Sequence, residues 1–589
     1  MISNRTTNII AAVLLTLMFF MAVFSMKDDS ATMDELAHLP AGYSYLTQKD
    51  MRLNPEHPPL IKDLAGFPLL FVKNINFPSE IDAWKEKLNG QWEFGNYFLY
   101  KVGNDADKLL FLARLPMIFL LILLGFFIFY WVKKLWGNKV ALLSLFLFTF
   151  SPTFLSHGRL VTTDVGAAFG VILATYFFLN FLKEPTLKNL IFSGLTLGIS
   201  QLIKFSLILL YPFFGFLLIC WIIFSPTVRT QEKLKTFGIY LGKFFAIFLI
   251  CFLLIWSVYF FHTLNLPNEL QKEYIKIFTR SHPLRSTTSI GLFFSQNPIL
   301  RPLGYYLLGV FMATERAAGG HTTYFLGEVS ATGWLNYFPI VYLIKEPLTF
   351  HILTLIAILY AAYLIRKPFW QKPISRIKDW IKTHFNEFSM ISWIFIYWIT
   401  SLISNLNIGV RHLLPVFPFT YILVSLGIIN FLKKPLLKPK ILLFSFLIFW
   451  QIFSLIKIYP HFLSYFNEIA GGPDKGYIYT VNSNYDWGQD LKRLKKWVDE
   501  NEIDKIYVDY FGGSDSQYYL KEKFIPWEGT KSSKEFEKGN YLAVSATFLQ
   551  AGKGIPVLGF NQPHGYYLWL NNYQPIAKAG KSIFIYYID

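Results

Sequence analysis

Five short stretches hold side chains able to move a proton or grip an anion. Asp34-Glu35 sits in MDELAHLPAGYSYL, just after an apolar run. Asn54–Lys62 reads NPEHPPLIK, where prolines restrict the backbone and keep Glu56, His57 and Lys62 close together. Gly158–Asp164 reads GRLVTTD and carries Arg159 and Asp164. Lys204 interrupts the apolar stretch Leu190–Phe224, and Gly409–His412 reads GVRH, with Arg411 and His412. Carboxylates of this kind suit a general base acting on a hydroxyl. The cations suit phosphate oxygens. Each stretch also has a plainer reading: a solvated acidic pair, a proline-rich turn, a helix cap at Asp164, or Lys204 and Arg411 reaching from a helix end to the headgroups.

The elements that must position these residues are membrane helices. The 589-residue chain is 53% hydrophobic and 19% aromatic, more apolar than a soluble domain of this size. Apolar runs near the bilayer's span recur as far as Tyr459. They predict about eleven transmembrane helices, at 8–26, 109–132, 140–155, 165–182, 188–203, 206–225, 236–261, 347–365, 388–404, 412–431 and 440–458. The first run is long for a signal sequence and lacks a small-residue cleavage site, so it reads as an uncleaved helix. Cys220 and Cys251 both lie in apolar runs and read as small hydrophobes.

The net charge of +17 is placed as topology and not as a nucleic-acid surface: no basic stripe interleaved with aromatics occurs in a soluble stretch. With the N-terminus inside, nineteen Lys and Arg fall in the cytoplasmic loops, among them Lys133, Lys183, Arg229, Arg366, Lys367 and Lys434. The opposite short loops hold three: Arg159, Lys204 and Arg411. That asymmetry predicts N-in, C-out. All five chemical stretches then fall on the outer face. Two long outer segments, 27–108 and 262–346, are expected to form partly buried amphipathic helices along the membrane surface. Residues 1–458 form the membrane part. Residues 459–589 read as an exported soluble α/β domain, with strands at Lys505–Phe511, Tyr541–Thr547 and Ser582–Tyr587 and a helix at Asp490–Glu500. Asp486 and Gln489 have capping-box spacing before that helix, and Asp486 and Asp490 read as cap and surface residues.

At this point the chain resembles the membrane-embedded GT-C glycosyltransferases that use polyprenyl-phosphate sugars, above all the protein mannosyltransferases of family 39 and their aminoarabinose-transferase relatives. The likeness rests on the five stretches above together with Phe325–Leu348 (FLGEVSATGWLNYFPIVYLIKEPL), GVRHLLPVFPF (Gly409–Phe419) and His461–Leu494, including NSNYDWGQDLKRL. The resemblance implies a GT-C-like fold and a plasma or inner membrane location, with the active site on the exoplasmic side. It implies Asp34 as base, Glu35 orienting base or acceptor, and Asp164 as the second acidic residue. His57, Lys62, Arg159 and Lys204 would hold the donor phosphate, with Lys345 and Arg411 as further candidates for that task and Glu56 and His412 as neighbouring site residues. The partners implied are a polyprenyl-phosphate sugar, membrane lipid, and a lipid, glycan or protein acceptor, with no nucleic acid.

Direct attack at the anomeric carbon predicts inversion. The eukaryotic protein mannosyltransferases carry exported MIR repeats, and none is recognisable here. Three other readings compete, one of them a non-catalytic assembly protein that keeps the fold, against which Asp34 and Asp164 speak. A diphosphate-carrier oligosaccharide transferase or ligase would bring a divalent cation to the acidic residues and lose activity in EDTA; the sequence itself assigns no cofactor and leaves a divalent cation open. A lipid or solute transporter would place polar groups at mid-membrane and show repeated halves, which this sequence does not.

Overall fold

The computed structural model describes residues 3–224, 233–365, 371–433 and 438–589. Each of the eleven apolar segments carries helix. Seven helices are long and apolar enough to cross a membrane: Asn4–Ser25, Ala106–Trp136, Asp164–Lys183, Phe205–Phe224, Lys233–His262, Val410–Leu432 and Lys438–Ile458. An eighth crossing is broken, with Tyr337–Lys345 and Leu348–Leu364 meeting at 110°. Pro347 lies at the break, has no N–H to give, and forces Glu346 into extended backbone. The other three segments are shorter helices, Asn138–Thr149, Leu187–Ile203 and Phe385–Leu402. The segment expected at 140–155 stops at Thr149 because Ser151 and Pro152 start a separate turn, the Ser151 hydroxyl accepting the Phe154 N–H at 3.3 Å.

Lys204 is where the long apolar stretch turns. Its backbone is extended, between Leu187–Ile203 and Phe205–Phe224. Apolar side chains on the outside of the bundle are left bare, including Phe119 at 61%, Phe245 at 63% and Phe449 at 66% exposure. A belt of this kind is stable facing lipid and not water.

The helix ends fall at two poles. At one, Lys133 Nζ donates to Asn8 at 2.8 Å and Lys183 Nζ to Asn386 at 3.0 Å; these ends belong to the basic loops. Arg229, Arg366, Lys367 and Lys434 lie outside the described residues. At the other pole stand Asp34, Arg159, Asp164, Lys204 and Arg411.

That pole is roofed by the long segments and the C-terminal region. In segment 27–108, the helices Met33–Gln48 and Leu60–Gly66 cross closely: a Cβ on Gly42 would stand 1.9 Å from the Lys62 carbonyl oxygen. Segment 262–346 begins with helices Asn268–Phe278, Thr287–Gln296 and Arg301–Gly319, the first burying Gln271, Tyr274 and Ile275 on one stripe. It continues as a hairpin of β1 (Thr323–Phe325) and β2 (Glu328–Ser330).

The C-terminal region forms a five-stranded mixed sheet, ordered β4-β3-β5-β8-β7. Its strands are β3 (Ile506–Asp509), β4 (Phe524–Pro526), β5 (Asn540–Ser545), β7 (Ala577–Ala579) and β8 (Ile583–Ile588). The three strands read from the sequence are its centre. β6 (Ile555–Pro556) pairs in parallel with β2, and Tyr324, Val329 and Ile344 share a core with Leu542, Val544 and Phe584. The boundary at 458/459 is therefore crossed by one sheet and one core.

The helix before β3 runs Leu491–Glu500, but its expected cap is differently made. Gln489 accepts the Trp487 N–H at 2.9 Å. Asp490 is no surface residue: it is buried and accepts the N–H groups of Lys581 and Ser582 at 2.9 and 3.0 Å. Asp486 is buried too, accepting the Thr547 N–H at 2.8 Å.

Candidate active site

A cavity of about 450 Å³ opens between the helix ends at this pole and the roof. Its polar wall holds Asp34, Glu56, His57, Asp164, Lys204 and Arg411. Its apolar wall comes from Phe205, Ile208 and Leu209 on one helix and Val310, Ala313 and Ala317 on another. Four of the polar residues form one chain of opposite charges. Lys204 Nζ lies 2.5 Å from Asp164 Oδ1, and Arg411 Nη1 lies 3.2 Å from Asp164 Oδ2 and 2.8 Å from Asp34 Oδ2.

Arg411 is held from three sides. Gly409, at φ +104°, turns the chain where a Cβ would meet the Ser483 hydroxyl at 2.7 Å. Arg411 Nε donates to that hydroxyl at 3.2 Å, and the guanidinium sits 4.2 Å over the Trp487 ring. Asn484 accepts the Val410 N–H at 2.9 Å. The NSNYDW run of the C-terminal region thus aims the cation of a membrane helix.

Asp34 and Glu35 part company because neighbouring helical residues point about 100° apart. Asp34 faces the cavity. Glu35 faces inward and does not reach it. Its carboxylate accepts the Thr32 N–H at 2.9 Å, as in a capping box, takes the Arg114 fork at 2.8 and 2.7 Å, and accepts the Val161 N–H at 3.1 Å. It fixes the start of the Asp34 helix and ties it to the GRLVTTD turn. Arg114→Leu should strand this buried carboxylate and destabilise the protein by about 3–5 kcal/mol. The joint variant with Glu35→Leu should cost less than the sum, both read from thermal unfolding of detergent-solubilised protein.

Three of the predicted phosphate ligands do not line the cavity. Lys62 Nζ is buried among the Tyr45 hydroxyl, the Asn54 and His57 carbonyls and Asn54 Oδ1, at 2.8–2.9 Å, and locks the NPEHPP loop. Arg159 is buried against Asp29 at 2.8 Å, and Asp29 also meets Arg493 at 2.8 Å. Lys345 Nζ donates to the carbonyls of Leu463, Tyr465 and Asn484 at 2.9, 2.7 and 2.6 Å. Burial makes each cation keep partners of its own: Arg159 and Lys345 tie the membrane part to the roof through Asp29 and the carbonyls of the C-terminal region, with Arg159 Nε and Nη1 left unpartnered among the described residues, and Lys62 is spent within its own segment.

His57 does face the cavity, edge-on to His38 at 5.1 Å. Burial, then the positive charge near His38, Lys62, Arg316 and Lys204, holds its imidazole well below the usual range. It is neutral at pH 7 and offers a hydrogen bond in place of a charge. Glu56 is held by Gln91 at 2.6 Å and Asn89 at 3.1 Å. His412 stacks between Phe338 and Tyr397 rings, and its Nδ1 has no partner among the described residues. The sequence reading passed over Arg316, which lines the cavity and makes no ion pair among the described residues. Its position in a long outer segment carried no motif to mark it.

Burial pushes the Asp34 carboxyl up, but Arg411 and then His38 together outweigh it and hold it below the usual carboxylate range. Asp34 is therefore ionised at neutral pH. Among the described residues no group of three or more His, Cys, Asp or Glu is placed to hold a metal ion. A divalent cation entering between Asp34 and Asp164 would have to displace Arg411.

A bundle of membrane helices thus carries an acidic and cationic site under a mixed α/β roof. Residues 100–256 match the profile of the family described as dolichyl-phosphate-mannose-protein mannosyltransferase, in agreement with the resemblance carried by the sequence motifs. No curated protein sequence matches significantly.

Among solved structures, the chain is similar to the S. cerevisiae protein O-mannosyltransferase Pmt1–Pmt2 complex bound to the sugar donor, at 18% identity, TM-score 0.35, and 45% of this chain. It is also similar to the Archaeoglobus fulgidus oligosaccharyltransferase, at 13% identity, TM-score 0.44, and 87% of this chain. ArnT from Cupriavidus metallidurans bound to undecaprenyl phosphate matches at 11% identity and TM-score 0.30, over 99% of this chain and 98% of that one. The chain spans 35% of the length of the yeast protein and 64% of the archaeal one.

Proposed function

We propose that this protein transfers a sugar from a polyprenyl-phosphate carrier to a hydroxyl acceptor at the exoplasmic membrane face. The observation that carries the reading is the Asp34–Arg411–Asp164–Lys204 chain beside an apolar wall. A lipid-linked phosphate needs both halves: cations for the headgroup and hydrocarbon for the tail.

In this mechanism the donor phosphate takes its place against Lys204 and Arg411. Asp164, gripped by both, positions them. Competition for Arg411 loosens its hold on Asp34. The acceptor hydroxyl then attacks the anomeric carbon from the face opposite the phosphate. The new acceptor O–C1 bond forms as the C1–O(phosphate) bond breaks, the hydroxyl proton passes to Asp34, and the carrier leaves as its monophosphate with inversion. The leaving group is stable as an anion, so one base suffices, in contrast to the two carboxyls of glycoside hydrolysis. Fixed cations stabilise the charge that develops on the phosphate oxygens. Glu35, Lys62, Arg159 and Lys345 take structural parts in this scheme, His57 keeps its place on the donor side, and Arg316 joins it.

Lys204→Ala should weaken binding of polyprenyl phosphate about 10–100-fold, the scale of a charge-assisted hydrogen bond, while acceptor KM stays within about twofold; equal donor affinity in both proteins would remove Lys204 from the scheme. The pH dependence has a definite sign. Asp34 acts ionised and its folded pKa is lowered, so the acid limb of kcat/KM should fall below the ordinary carboxylate range. An acid limb near neutrality would contradict Asp34 as base.

The cellular test is mass spectrometry of lipid-linked sugars and envelope glycans with and without the gene. Loss of one glycan modification with build-up of one polyprenyl-phosphate sugar supports the proposal. Unchanged pools of both would sink it.

A further inference from the structure

A second cavity of about 330 Å³ lies in the roof, between the β1–β2 hairpin and the C-terminal region. Its composition differs from that of the first. None of its lining residues is Asp, Glu, Lys or Arg. His321, its only imidazole, is kept neutral: burial, then Arg316 and Arg411, push it down to about 4. The walls present the rings of Phe511, Phe548, Phe560 and Tyr566, and between them the short polar groups of Thr322, Asn482, Thr547 and Gln562. Thr322 donates to Gln562 at 2.5 Å, bridging the hairpin to the loop that closes the far side.

The two cavities share a wall. Ala318 lines the first and His321 the second, on one short run of chain. Asn482 lines the second, while its neighbour Ser483 donates to the Ile408 carbonyl at 2.5 Å and accepts from Arg411 at 3.2 Å. Ile408 and Arg411 both line the first. Anything seated in the roof is therefore next to the residues that hold Asp34.

We infer that this roof cavity binds the acceptor, and that the acceptor is an uncharged, polyhydroxylated glycan. Aromatic faces take the C–H faces of sugar rings, and hydroxyl and amide edges take their hydroxyls. A site built from oriented polar groups also rejects ligands that leave those groups unpaired. A charged lipid headgroup or a basic or acidic peptide would bring a formal charge into a space with no counter-charge, which is costly. The absence of charged side chains from its wall sets it apart from the first cavity, which presents Lys204 and Arg411 to a phosphate. This inference rests on the glycosyltransferase reading for its biological meaning, but the binding itself is tested separately.

Saturation-transfer NMR on the full chain in detergent micelles, with mannotriose, maltotriose and cellotriose as neutral probes and trigalacturonate as the acidic one, decides the matter. At least one neutral trisaccharide should bind and trigalacturonate should not. Phe548→Ala and Gln562→Leu should each weaken that binding about tenfold or more, whereas Lys204→Ala should stay within about twofold. Gln562 is exposed, so its replacement leaves the fold intact and keeps the test informative if Phe548→Ala misfolds. Failure of all three neutral probes, equal binding of trigalacturonate, or binding insensitive to Gln562→Leu would each overturn the inference. Trisaccharide binding without sugar transfer from any polyprenyl-phosphate donor would sink the proposed activity and leave the glycan site standing. Transfer without such binding would do the reverse.

Discussion

Asp34→Asn is expected to lower the transfer rate by about 10²–10⁴-fold, the range attached to a positioned general base, with donor affinity unchanged or slightly improved. The amide keeps the shape and can accept the acceptor's hydrogen bond, but it cannot take the proton. Donor binding survives because Arg411 keeps its second carboxylate, Asp164, at 3.2 Å, and loses only a competitor for the incoming phosphate. The neighbouring variant gives the contrast. Glu35→Gln weakens the buried pair with Arg114 and should show as a lower unfolding temperature, with the rate per folded molecule nearly kept. Comparable loss of rate in both variants, normalised to folded protein, would mean that the acidic pair acts jointly and that the helix-phase assignment is wrong.

Arg411→Ala is the other large effect. It removes one guanidinium from Asp34, Asp164, the Ser483 hydroxyl and the Trp487 face together. Two carboxylates are then left close to one another, with Lys204 as the remaining cation in contact. Donor affinity and kcat should both fall, together by about 10³-fold in kcat/KM, since breaking a buried pair costs about 3–5 kcal/mol. The sign of the accompanying pH change follows from the pull that Arg411 exerts on Asp34. Without it the carboxyl titrates higher, so the acid limb of the residual activity should move up in pH. Arg411→Lys restores charge but not the fork or the stacked plane and should recover only part of the rate. Full recovery with lysine would show that geometry at this position is immaterial.

Much of the architecture was readable in the sequence because membrane helices are written in long apolar runs, and the bare faces of the bundle are those runs. Lys204 was readable as a turn for the same reason: a lone ammonium cannot sit inside hydrocarbon and must mark an end. The three central strands of the roof declared themselves through their Val, Ile, Tyr and Phe content.

The separation of working cations from structural ones was not readable. Lys62, Arg159 and Lys345 look like Lys204 in one dimension. What distinguishes them is that their partners, carbonyls or an aspartate from as far as 139 residues away, hold them off the cavity. The same holds for Asp34 and Glu35. Their fates diverge through Arg114, which lies inside a run read as almost free of charge. Arg316 and the roof cavity went unseen because no spacing rule connects residues 316–324, 482 and 548–566. β6 pairing with β2 makes that connection, and a two-residue strand leaves no sequence signal.

The central claim, that the Asp34 cavity catalyses displacement at a lipid-phosphate sugar, is tested most directly by purified protein in lipid nanodiscs given a polyprenyl-phosphate sugar carrying ¹³C at the anomeric carbon and a hydroxyl acceptor. The account predicts release of polyprenyl monophosphate in step with a glycoside of inverted anomeric configuration, and near-silence from Asp34→Asn. A retained configuration, a released diphosphate, or undiminished turnover by the Asn variant would contradict it.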